Sequence, residues 1–96
     1  MRVSEIIETK LHEALSPSYL VVKDESHLHR GHAGAPEEGQ SHFRVTIVAG
    51  AFDGLARVAR QRKVNEILAE ELAGPIHALA MKTLTPAEWS REGEQA

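Results

Sequence analysis

The residues of this 96-residue chain best suited to chemistry are its six histidines. His27, His29 and His32 fall together in a stretch rich in Gly, Glu and Ser. Neutral imidazole binds zinc, copper and iron, so this His-x-His-x-x-His run could hold a metal ion on its own. It lacks the fixed spacing of a zinc finger, and a polar solvated loop has the same composition. His77 stands apart, opening a predicted strand directly after Gly74-Pro75, in phase with Leu79 and Met81. On pattern alone, a partly buried histidine bonded to backbone reads the same way. His42 opens another predicted strand beside Phe43 and reads as structural, and His12 lies on the polar side of the first helix.

A second group of chemical interest is basic. Arg57, Arg60, Arg62 and Lys63 lie within seven residues that contain no acid. Such residues contact phosphate in nucleic-acid binders, or dock an acidic partner surface. An ordinary solvated helix face is the plainer reading, since acids return at Glu66, Glu70 and Glu71. The whole chain has 11 basic and 14 acidic residues, a net charge of −3. A dedicated nucleic-acid binder carries a basic excess, so DNA binding is expected to be weak. Gly31-His32-Ala33-Gly34 spells the G-x-x-G of a phosphate-clamping loop, but it falls between strands where that loop joins helices. There is no Walker loop, nucleophile with base, or paired-carboxylate motif, so neither catalysis nor a small-molecule substrate is expected. The chain has no cysteine, which excludes disulfides and any iron–sulfur cluster held by its own thiolates.

The elements that position these residues follow from periodicity. Val3, Ile6, Ile7, Leu11, Ala14 and Leu15 recur at helical spacing, and Ser16-Pro17 stops the helix. Tyr19 to Lys23 reads as a short strand. Residues 25–41 have no periodic pattern, and a segment of this kind is usually functional or disordered. His42 to Val48 alternates as a half-buried strand. Between residues 53 and 73 the apolar stripe changes side: Leu55, Val58 and Ala59 fall on one face, Val64, Ile67, Leu68 and Leu72 on another. That predicts two helices bent between Ala59 and Val64 in a helix-turn-helix arrangement, with Asp53 as N-cap and Gly74-Pro75 as the stop. Ile76 to Thr83 is the third strand; pairing with the second would make a right-handed parallel crossover. Thr85-Pro86-Ala87-Glu88 is a capping box that starts a last helix docked by Trp89. The expectation is one α+β domain over residues 1–90, with helices packed on a three-stranded sheet, and a frayed tail over 91–96. No apolar run reaches the roughly 20 residues that span a bilayer, and the start lacks a signal-peptide core, so a cytoplasmic protein is the default.

This order and several strings resemble the BolA family. They are Asp24-Glu25-Ser26, Ser41-His42-Phe43-Arg44-Val45, the Phe52-Asp53-Gly54 run continuing through Val58, Arg60 and Arg62, Glu71-Leu72 before His77-Ala78-Leu79, and Thr85-Pro86-Ala87-Glu88-Trp89. The departure is Gln61, where the family usually has histidine between the two arginines. The resemblance implies a fold similar to a class II KH domain. It implies a heterodimer with a monothiol glutaredoxin, in iron–sulfur trafficking and iron regulation, and some relatives are described as transcription regulators. It also implies that His77 ligates a shared [2Fe–2S] cluster together with one loop histidine, His29 or His32. Glutaredoxin and glutathione would supply the thiolates, in a Rieske-like arrangement.

Overall fold

The computed structural model describes residues 2–25 and 42–95. Helix α1, Val3–Leu15, buries Ile7, Leu11 and Leu15, residues four apart that share one side of a helix. It ends where Ser16 turns left-handed, with φ 45°, and donates its N–H to the His12 carbonyl. Strands β1, Tyr19–Asp24, β2, His42–Val48, and β3, Ala78–Leu84, form one sheet in the order β1-β2-β3. β1 runs antiparallel to β2 from Tyr19↔Val48 to Asp24↔Phe43. β3 runs parallel to β2 from His42↔Ala78 to Val48↔Leu84.

Period-two alternation sorts the sheet's side chains. Phe43, Val45 and Ile47 are buried and meet Ile7, Leu11, Leu15, Phe52, Val64, Leu68 and Ile76. Leu20 and Val22 of β1 and Leu79 and Met81 of β3 pack against the same cluster. Each such aliphatic or aromatic side chain contributes about 1.5–3 kcal/mol on burial. Tyr19, Lys23, Arg44, Ala78, Ala80 and Lys82 are exposed and fall in the opposite phase.

The parallel pairing requires a crossover. It consists of a 3-10 turn, Gly50–Phe52, helix α2, Arg57–Ile67, and the short helix α3, Ala69–Ala73. Two expectations fail here. α2 is continuous through Ala59 and Val64, and the break falls at Leu68, φ −101° and ψ 19°. The two apolar groups do not need a common core, because Leu55 precedes the helix and Val58 is 58% exposed. The N-cap of α2 is Ala56, without a side-chain cap bond, and not Asp53. The basic stretch therefore occupies the first turns of α2 and not a turn between helices. Lys10 of α1 reaches across to α3 and donates to both carboxylate oxygens of Glu71, at 2.9 and 2.8 Å.

Helix α4, Pro86–Gln95, closes the chain. The predicted capping box is present: Thr85 N–H donates to Glu88 Oε1 at 2.8 Å, and Glu88 N–H to Thr85 Oγ1 at 3.2 Å. Trp89 stacks on Tyr19, ring centres 4.8 Å apart, and Glu92 pairs with Lys82 at 3.1 Å. Residues 91–95 continue this helix where a frayed tail was expected. No described helix is long and apolar enough to cross a membrane.

Candidate functional site

Gly74-Pro75 ends the crossover, Ile76 anchors the returning chain in the core, and His77 follows just ahead of β3. The side chain of His77 is exposed, so the partly buried alternative does not hold. His42 pairs in register with Ala78, the neighbour of His77. The two imidazoles meet edge to face, ring centres 6.1 Å apart and planes at 78°. His42 is half-buried, and its carbonyl accepts the Glu25 N–H at 2.7 Å. The other expected ligands, His29 and His32, lie outside the described residues. No three His, Cys, Asp or Glu side chains come together as a metal site among the described residues.

The proximity of His42 to His77 escaped the sequence reading, which took His42 as structural. A signal existed. Both strands are headed by a histidine, and parallel pairing puts the heads of two strands side by side. Only the register was missing.

The basic stretch divides. Arg60 is 7% exposed. Its Nε donates to the Leu55 carbonyl at 2.8 Å and its Nη1 to the Thr83 carbonyl at 3.1 Å. Nη1 and Nη2 also meet Glu88 Oε1 and Oε2 at 2.7 and 3.3 Å. The guanidinium lies 5.9 Å from the Phe52 ring centre. The Arg60 hydrogen bond, with help from the Thr85 N–H, lowers the Glu88 pKa from 4.5 to about 2. Arg60 thus ties α2, β3 and α4 together from inside. Its place among the phosphate contacts is corrected: its donors are committed within the protein. Arg57 and Arg62 are exposed and Lys63 is half-buried. A cleft of about 290 Å³ between α2 and α4 is lined by Arg57, Arg60, Glu88, Arg91 and Glu92, a mixture of charges that favours neither sign strongly.

Comparison with known proteins fits this architecture. A family model described as BolA-like protein matches residues 11–88. The human "BolA-like protein 1" is 50% identical over 93 residues, covering 97% of this chain and 64% of its own. The chain thus spans just under two thirds of that relative. The Vibrio cholerae "DNA-binding transcriptional regulator BolA" is 43% identical over 94 residues, covering 98% of this chain and 85% of its own. Among solved structures, BolA1 from Arabidopsis thaliana superposes with a TM-score of 0.79 at 39% identity, covering 88% and 93% of the two chains. BolA1 from Mus musculus gives 0.78 at 44% identity, covering 98% and 72%.

Proposed function

The chain belongs to the BolA-like family, and from that premise we propose that it is a non-enzymatic accessory protein that shares a [2Fe–2S] cluster with a monothiol glutaredoxin. The carrying observation is the exposed imidazole of His77 at the head of β3, in a chain without cysteine. The donor set fits half a site. A [2Fe–2S] centre takes four ligands, and this chain offers imidazoles but no thiolates. In this reading His77 and one of His29 or His32 ligate one iron, and glutaredoxin and glutathione supply sulfur to the other. Histidine ligation on one iron raises the potential of such a cluster. The remaining work of the chain is placement. β3 fixes the backbone beside His77, and the Ile76 anchor sets where its imidazole emerges. The helix–strand–strand–helix–helix–strand order supports the class II KH-like relationship as part of the same reading.

The test is co-assembly of the chain with a monothiol glutaredoxin, glutathione, iron and sulfide. Visible circular dichroism and electron paramagnetic resonance should show a histidine-ligated cluster. His77→Ala should abolish that signature while far-ultraviolet circular dichroism stays unchanged. Replacing His29 and His32 singly should identify the loop ligand, the other being nearly silent. An unchanged signature from the His77→Ala protein would remove the ligand assignment and leave surface contact alone to explain the pairing.

A DNA-binding regulator is the second reading, favoured by the name of the Vibrio cholerae relative and by the exposed Arg57 and Arg62 on α2. Arg60 has no part in it.

A further inference from the structure

We infer that His42 is a positioning residue, whose imidazole fixes the direction in which the exposed His77 ring leaves the head of β3. The inference rests on the shared-cluster reading, in which His77 is a ligand, and names the residue that orients it. His42 acts through His77 and is not itself a ligand.

The need for such a residue follows from where His77 stands. β3 and its ladder begin at Ala78. Ile76, on the other side, is 4% exposed and anchors the chain in the core. The backbone of His77 is therefore held on both sides. The alternation of a strand, which would assign its side chain to one face, starts one residue later. Its ring is exposed, so core packing does not choose its rotamer either. An exposed side chain that becomes a ligand loses rotamer freedom on binding. A contact that selects the binding rotamer beforehand lowers that cost.

His42 can supply the contact because it does not share this freedom. It lies within the β2–β3 ladder, opposite Ala78. It is half-buried, its carbonyl accepts the Glu25 N–H at 2.7 Å, and it has a further interaction within the protein. A held ring thus faces a loose one, with 6.1 Å between centres and 78° between planes. This is the edge-to-face arrangement that aromatic rings prefer to a sandwich. It closes the side of His77 towards β2 and leaves the side towards solvent open. A contact of this kind biases one rotamer over another by about twofold to tenfold, the size expected of a guide and not of a ligand.

The experiment reads the His77 ring directly, on the full chain with isotope-labelled histidine. Three-bond couplings report the side-chain rotamer of His77, and carbon relaxation of its ring reports motion on the ps–ns timescale. In the parent protein one rotamer should dominate. In His42→Ala the ratio of that rotamer to the others should fall by about twofold to tenfold, and ring motion should rise. His42→Phe keeps a ring edge without a metal-binding nitrogen and should restore the parent values. If His42→Ala impairs folding, seen by far-ultraviolet circular dichroism, His42→Leu takes its place. The same variants are then co-assembled with a monothiol glutaredoxin, glutathione, iron and sulfide. His42→Phe should give the parent circular dichroism and electron paramagnetic resonance spectra. His42→Ala should still form the cluster but lose iron faster to a chelator. A His77 rotamer indifferent to His42→Ala, or not restored by His42→Phe, overturns the inference. So does loss of the cluster from both variants, which would make His42 a ligand. If instead His77→Ala leaves the cluster signature unchanged, the shared-cluster reading fails, and the rotamer result in the free protein still decides whether His42 orients His77.

Discussion

Arg60 shows how one side chain can change its meaning between sequence and structure. By type it joins Arg57, Arg62 and Lys63 in a basic stretch. By position it shares a helix side with Val64 and Leu68, four and eight residues on, and all three are buried. A polarity-based reading of α2 counts it on the wrong side and so misses part of the buried stripe of this helix. Its guanidinium satisfies the carbonyls of Leu55 and Thr83 as well as the Glu88 carboxylate. Arg60→Ala leaves those acceptors without their donor, the buried Thr83 carbonyl among them, and orphaning a buried acceptor costs about 1–3 kcal/mol. Arg62→Ala, at an exposed position, should change stability by less than about 0.5 kcal/mol. Urea unfolding of the two variants checks this. Equal, small effects would mean that the Arg60 network carries little stability.

At the scale of elements, local chemistry was legible and junctions between helices were not. The α1 stripe, its stop at Ser16-Pro17, the alternation of β2 and the Thr85–Glu88 capping box all follow from neighbours in sequence. The break at Leu68 has no such marker, and the apolar stripe puts it too early because Leu55, which precedes the helix, and the exposed Val58 read as core-facing helix residues. The capping box also holds more than its pattern states, since Glu88 serves the α4 N-terminus and Arg60 at once. Its pKa is lowered from 4.5 to about 2, first by Arg60 and then by the Thr85 N–H. A carboxylate with a depressed folded-state pKa adds stability that is fully present above the unfolded value and fades as pH falls through the folded one. Stability should therefore decline between about pH 4.5 and 2 through Glu88. Glu88→Gln keeps a side chain that can cap but removes the titration. The difference in urea midpoint between the parent and Glu88→Gln should be largest at pH 7 and shrink towards pH 2. A difference independent of pH would assign the effect to shape and not to charge.

For the whole molecule, what the sequence withheld was mainly register. The β2–β3 register places His42 beside His77, and no local pattern states it. The same packing decides what is left for nucleic acid. With Arg60 turned inward, Arg57 and Arg62 are the exposed arginines of the stretch, against a net charge of −3 for the chain. Each neutralised phosphate on duplex DNA adds about −0.9 to the slope of log affinity against log salt. Two arginines thus predict a slope of about −2 and binding that is weak at physiological salt. Arg60 is a poor test residue for DNA contact, because its loss damages the fold and removes binding for that reason alone. Arg57→Ala with Arg62→Ala is the cleaner variant, since both side chains lie outside the core. A gel-shift series across salt should show weak, sequence-indifferent binding that this double variant abolishes without changing the urea midpoint. Tight, sequence-selective binding at physiological salt, lost in the double variant, would promote the regulator reading over the cluster-sharing one. A slope much steeper than about −2 would require further phosphate contacts beyond α2.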